Sequence, residues 1–275
     1  IVWVRFYLDG VAARAMDAFR PALAVSDEEF ARLRYELTTL PAPLTRIATI
    51  VAAVGYVVNA ALLPDRIIAE FGPSRGVAAL MLAPVAIFTL AVVLISTAQA
   101  ARQLWMVGIL HGLAEHVNLF RVKPFYAFSG LAARTGMSFL VLAYLIVALR
   151  PDMVRDTPAL QLLIVAVVPT AIACFVLPLY GMHERLVTEK DRLLTEANAR
   201  FEILLARLHA RVDENVLADA EKISHQLSSV AAEREAIARL STWPWEAATM
   251  TGFLTTLVLP LLIWLLQRVL GKLGV

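Results

Sequence analysis

The chain has 275 residues, 59% hydrophobic and 17% charged, with mean hydropathy +0.69 and a formal net charge of +2. This composition excludes an ordinary soluble domain, and the single cysteine, Cys174, excludes a disulfide framework and a cysteine metal cluster. The charges fall outside several long apolar runs. The expected fold is therefore an all-α polytopic membrane protein with about five transmembrane helices and a cytoplasmic antiparallel helical hairpin as a stalk.

Residues 1–43 read as two amphipathic cytoplasmic helices. Leu8, Val11, Ala15 and Phe19 share one face of the first, which Pro21 ends. Ser26-Asp27-Glu28-Glu29 is a capping box, in which Ser26 accepts from the backbone and Glu29 reaches back. Phe30, Leu33 and Leu37 then line the second helix. Both helices are expected to lie on the membrane or against the stalk. The chain opens Ile-Val-Trp-Val-Arg without methionine, as a fragment or processed product would, and shows no signal-peptide pattern.

Residues 44–181 hold four expected spans, Thr45–Leu63, Val77–Ser96, Leu131–Leu149 and Leu160–Tyr180. Each approaches the about 20 apolar residues that a helix needs to cross a bilayer. Between the second and third, residues 99–128 carry Trp105, Ile109, Leu113, Val117 and Phe120 on one face. This amphipathic segment reads as the second span continuing into the cytoplasm and turning back at Lys123-Pro124.

Residues 182–242 are periodic and charged, with glycine and proline absent up to residue 243. The first arm places Leu186, Leu193, Ala197, Phe201, Leu204, Leu208 and Val212 on one face, with Lys190 completing the rhythm; the second places Ala220, Ile223, Leu227, Val230 and Ile237, with Arg234 interrupting. Asp213 or Asn215 is expected to cap the second arm. Arms of roughly 28 residues reach about 42 Å. Their seam is narrow, so further helices are expected to pack on it.

Residues 243–275 form the last span, centred on Met250–Leu270 and entered through Thr242-Trp243-Pro244-Trp245, with the tryptophans in an interfacial belt and Pro244 starting the helix. Lysine and arginine accumulate before the first span, between the second and third, and in the hairpin. That excess predicts a bacterial-type inner membrane protein with N-terminus and stalk in the cytoplasm and C-terminus outside.

Chemistry-bearing residues are few. His111 and Glu115, four apart, could share a helical face as metal ligands, yet His111-Gly-Leu-Ala-Glu115-His116 matches neither zinc-peptidase spacing. Pro84, Pro169, Pro178 and Pro260 fall inside spans, where a missing N–H frees a carbonyl. No Asp, Glu, Lys or Arg lies near the centre of any span, which argues against a proton relay. Thr251 and Thr255, one turn apart, are candidate pore-lining residues together with Pro260 and Pro169, while Pro178 and Gly181 make a hinge candidate. His183 beside that hinge is expected to be solvated. No phosphate loop, nucleophile elbow or nucleic-acid footprint appears, and no cofactor is expected.

The leading expectation is a non-enzymatic, homo-oligomeric channel-like protein gated through its stalk. The alternative is a scaffold or accessory subunit of a larger membrane complex. A membrane metalloenzyme resting on His111 and Glu115 comes third. The expected partners are the lipid bilayer and either further copies or other membrane subunits, with no nucleic acid.

Overall fold

The structure is a computed structural model that describes residues 2–62, 75–114, 119–120, 122–149, 151, 154, 158–214 and 216–272. Among these the fold is all-helical. In chain order the helices are α1 (Val2–Phe19), a 3-10 turn (Arg20–Ala22), α2 (Asp27–Thr38), α3 (Ala42–Leu62), α4 (Arg75–Gly112), α5 (Lys123–Leu149), α6 (Pro158–Asp213), α7 (Leu217–Arg239) and α8 (Ala247–Lys272). Among the described residues four stretches are long and apolar enough to cross a bilayer: Asp27–Val58, Ala83–Gly112, Lys123–Leu149 and Leu160–Asp213. The described apolar part of α8, Ala247–Pro260, is shorter.

The apolar face predicted for α1 is a core face. Leu8, Val11, Ala15 and Phe19 are buried together with Ala12 and Met16, and α1 packs mainly on α5, with α2 and α4 beside it. Neither α1 nor α2 rests on the hairpin. Leu33 and Leu37 of α2 are buried in the same core, and Phe30 lies under the Arg20 guanidinium, 4.9 Å from the ring centroid. Half of the capping box forms. The Glu29 N–H donates to Ser26 Oγ at 3.2 Å, while the Glu29 carboxylate accepts from Arg32 instead of reaching back.

α3 is different. It packs on α4 through small residues, with Ala48 and Ala52 buried, and turns Ile47, Ile50, Val51, Val54 and Val57 outward. Such a face is stable where the surroundings are as apolar as the side chains. α4 continues unbroken through residues 99–112, and α5 starts at Lys123. α5 is the most buried long helix because α1, α6 and α8 all pack on it.

Pro84, Pro169, Pro178 and Pro260 all lie within continuous helices. α6 runs 56 residues from the apolar segment through the whole first arm of the hairpin. α7 folds back along it, and Phe201, Leu204, Leu208, Ile223, Leu227 and Val230 are all half-buried in the seam. Arg234, predicted to weaken this seam, lies over the Phe201 ring at 4.8 Å, so its planar cation packs where an aliphatic residue would otherwise sit. Arg200 and Glu233 bridge the arms at 3.6 Å.

Two local expectations are corrected. Asp213 ends α6 and does not cap α7, whose N-cap is Val216 with no side-chain hydrogen bond; the reversal is closed by backbone bonds from Glu214 N–H to Ala210 and from Val216 N–H to Arg211. Asn215 lies outside the described residues. Pro244 belongs to the link, and α8 starts at Ala247. Among the described residues no third helix lies along the hairpin, contrary to the expectation drawn from its narrow seam; α7 packs on α6 alone to any extent.

Candidate functional site at the root of the hairpin

Four elements meet where α6 leaves its apolar segment: the end of α4, the middle of α6, the 240–246 link and the start of α8. The last C=O groups of a helix have no intrahelical partner, and each must be met from elsewhere. α6 supplies cations for two such ends. Arg185 donates from its two terminal nitrogens to Gly112 O and Ala114 O, both at 2.8 Å, and so caps α4. One turn on, Lys190 Nζ donates to Ala238 O at 2.6 Å and Leu240 O at 2.8 Å, capping α7. A positive side chain there also opposes the negative pole of the helix.

Two histidines complete the grip. His111 is 1% exposed, and its Nδ1–H donates to Pro178 O at 3.1 Å. The acceptor is a carbonyl, so the proton on that nitrogen is fixed. The ring stands edge-on to Phe19 and Phe128, each with centroids 5.6 Å away. Its Nε2 is buried without a partner among the described residues. His183 donates from Nδ1 to Thr242 O at 3.0 Å. Its ring stacks on Trp243 at 3.9 Å, Trp243 on Trp245 at 4.3 Å, Trp245 on Phe175 at 5.3 Å and Phe175 on Phe253 at 4.6 Å. A continuous stack of five rings thus joins the hairpin root to α8.

A second polar cluster fixes α1 and α2 to α4. Gln99 and Gln103 donate from Nε2 to the same Asp9 oxygen, at 3.0 and 2.6 Å. Arg102 donates to the carbonyls of Glu36 and Thr39, capping α2 as Arg185 caps α4. Burial pushes the Asp9 carboxyl above the usual carboxylate range, while Gln99, Arg5 and Gln103 pull it back.

The predicted site residues do not converge. Pro178 is buried at the root, in contact with His111 through its carbonyl. Gly181 is exposed in the same turn, and a methyl there would meet nothing within 4 Å. Pro169 is exposed on α6 and Pro260 half-buried on α8. Thr251 and Thr255 lie on the outward face of α8, away from the hinge candidates. Glu115 and His116 lie outside the described residues. Among the described residues no three His, Cys, Asp or Glu side chains converge as a metal site.

Sequence reasoning missed Arg185, Asp9, Gln99 and Gln103, and read His183 as merely solvated. Lys190 was placed on the apolar face of the first arm, without the carbonyls that it caps; the signal available for Arg185 was a basic residue soon after an apolar run. Among the described residues the root contains no nucleophile paired to a base; its contacts tie α6, the link and α8 together. No protein-family model matches the chain, and neither a curated protein nor a solved structure matches it.

Proposed function

We propose that the chain is a non-enzymatic membrane protein with α8 as a fifth span, whose copies associate so that α8 borders a shared polar path under control of the cytoplasmic hairpin. The observation that carries this reading is a difference among hydroxyls. Thr49, Thr89, Thr97, Thr170 and Thr256 each return Oγ1–H to the carbonyl four residues back. That is the usual way an apolar helix tolerates threonine. Thr251 and Thr255 are exposed, one turn apart, and have no such bond among the described residues. A pair of free hydroxyls on the outer face of a span is better served by water or a neighbouring subunit than by lipid. The root supports the coupling, because the hairpin and α8 share the ring stack.

Reconstitution in liposomes tests this. The wild type is expected to pass small ions, with Thr255→Val changing conductance at nearly constant side-chain volume. Silent liposomes from a folded, oligomeric preparation would overturn it. A cysteine at Glu214 is expected to label only after the cell is permeabilised.

A second reading, a scaffold within a larger membrane complex, draws support from the hairpin. Its outward residues include Ile203 and Val212, each about half exposed. Recovery of the chain as a single copy beside other subunits would favour it.

A further inference from the structure

Between α1, α4 and α5 lies a cavity of about 410 Å³, within the size range of small-molecule sites. Its lining is graded. On α4 the polar residues Ser96 and Thr97 lie nearer the 113–122 connection than Val93 does. On α5 Arg134, Thr135 and Ser138 lie nearer it than Val141, Leu142 and Leu145. Arg5 of α1 joins the polar end. From Arg134 to Leu145 a helix rises about 16 Å, so the apolar end is deep enough for a hydrocarbon chain.

The polar end is unsatisfied. Arg5 Nε, Ser96 Oγ and Thr135 Oγ1 are buried with no hydrogen-bond partner among the described residues, and Thr135 is 1% exposed. Arg5 Nε–H can only donate and both hydroxyls can donate, so an acceptor would satisfy all three. Leaving such groups unmet inside a protein is unfavourable. Asp9 lies 3.9 Å from Arg5 Nε and offsets part of its charge, but Arg134 is exposed at the rim, and no acidic residue lines the cavity. Outside the mouth, α1 turns out Trp3, 77% exposed, and Phe6, 70% exposed, with Trp3 stacked on Tyr7 of the lining at 6.0 Å. Exposed aromatics of this kind mark the depth of lipid headgroups.

We infer that the cavity binds one anionic membrane lipid. Its phosphate sits among Arg5, Arg134, Ser96 and Thr135, and one acyl chain lies along Val93, Val141, Leu142 and Leu145. The donors match phosphate oxygens, and arginine binds them in a forked, charge-assisted geometry. A free anion would satisfy the donors but leave the deep end wet, whereas a lipid fills both. The inference rests on α4 and α5 lying in a membrane and is independent of ion conduction.

The test is native mass spectrometry of the full chain in detergent, with phosphatidylglycerol and phosphatidylcholine of identical acyl chains. The wild type is expected to retain one phosphatidylglycerol per chain in preference to phosphatidylcholine. Arg134→Gln, a change at an exposed position, and Arg5→Gln are each expected to lower that retention roughly fivefold. Leu142→Trp, which fills the deep end, is expected to abolish retention of both lipids. Thr135→Val supplies a second, nearly isosteric probe should the tryptophan variant not fold, and is expected to weaken phosphatidylglycerol alone. Equal retention of the two lipids by the wild type, or retention unchanged by both arginine variants, would overturn the proposal. So would displacement of the lipid by glycerol phosphate at the concentration at which phosphatidylglycerol displaces it, since that would show an anion site without a chain.

Discussion

His183 and Trp243 lie face to face, with ring centroids 3.9 Å apart and planes within 9°. One ring belongs to α6, the other to the link into α8, and the bond from His183 Nδ1 to Thr242 O fixes their register. Trp243→Ala removes the second ring of the stack, leaving His183 and Trp245 without their shared neighbour. The expected cost is about 2–3 kcal/mol, below that of a fully buried tryptophan because the residue is half-buried. Thermal unfolding in detergent reads the loss. Limited proteolysis should find new cuts in the 240–246 link while α1, α4 and α5 stay intact. Cuts spread evenly over the chain would contradict the local joint described here.

Two glycines make a matched pair. A methyl on Gly136 would stand 2.7 Å from the Ala171 carbonyl oxygen and 3.0 Å from the Phe253 ring. The nearer atom is backbone, which cannot rotate aside, so Gly136→Ala must push α5 from α6. Overpacking of this kind costs typically about 1–3 kcal/mol. Gly181→Ala meets open space within a continuous helix and should stabilise by about 0.5–1 kcal/mol. Melting temperatures moving in opposite directions are the expected outcome; two losses of equal size would argue against the helix continuing through residue 181.

Asp9 gives a pH dependence. Its folded carboxyl titrates above the ordinary value of 3.8, so the folded state holds the proton more tightly than the unfolded chain. Stability linked to Asp9 is therefore greatest below 3.8 and declines as pH rises through the folded value, then levels off. Asp9→Asn keeps an oxygen for Gln99 and Gln103 and should remove this decline. Asp9→Leu deprives both amides of their acceptor, with about 1–3 kcal/mol expected for each buried group left unpaired. Unfolding curves of the three proteins across acid pH are the measurement. Parallel profiles for wild type and Asp9→Asn would dismiss the linkage.

The hairpin seam predicts a graded response. Leu204 and Leu227 are half-buried, so Leu204→Asp or Leu227→Asp should cost about 1–2 kcal/mol, less than the same change in a sealed core. Arg207→Glu, on an exposed face, should stay within about 0.5 kcal/mol. Protease resistance of the 190–235 region would rank them; three equal results would remove the seam.

The apolar runs, the hairpin and the core face of α1 were legible because each is a periodicity within one segment. Leu8, Val11, Ala15 and Phe19 announce a buried face. They do not say what covers it, since any apolar surface would do, and so the cover that α5 supplies was not legible. Polar contacts were harder still. Asp9 and Gln99 are 90 residues apart, and nothing in either neighbourhood encodes the other. Arg185 read as an ordinary charge, and Lys190 as a member of the seam without a partner, because the carbonyls they cap belong to α4 and α7. Pro178 and Gly181 suggest a hinge from local propensity, and in this structure both lie within the continuous helix α6.

The unbroken course of α6 has a mechanical consequence. Its 56 residues make a rod of about 84 Å, clamped near its middle where His111 holds Pro178 and Arg185 holds the end of α4. From Arg185 to Asp213 is about 42 Å, and from Pro178 back to Pro158 about 30 Å. The clamp is thus a fulcrum between arms of comparable reach. A sideways pull at the hairpin tip therefore falls first on the clamp, because beyond it the rod is already held along α5. A push along the rod is taken up by the clamp.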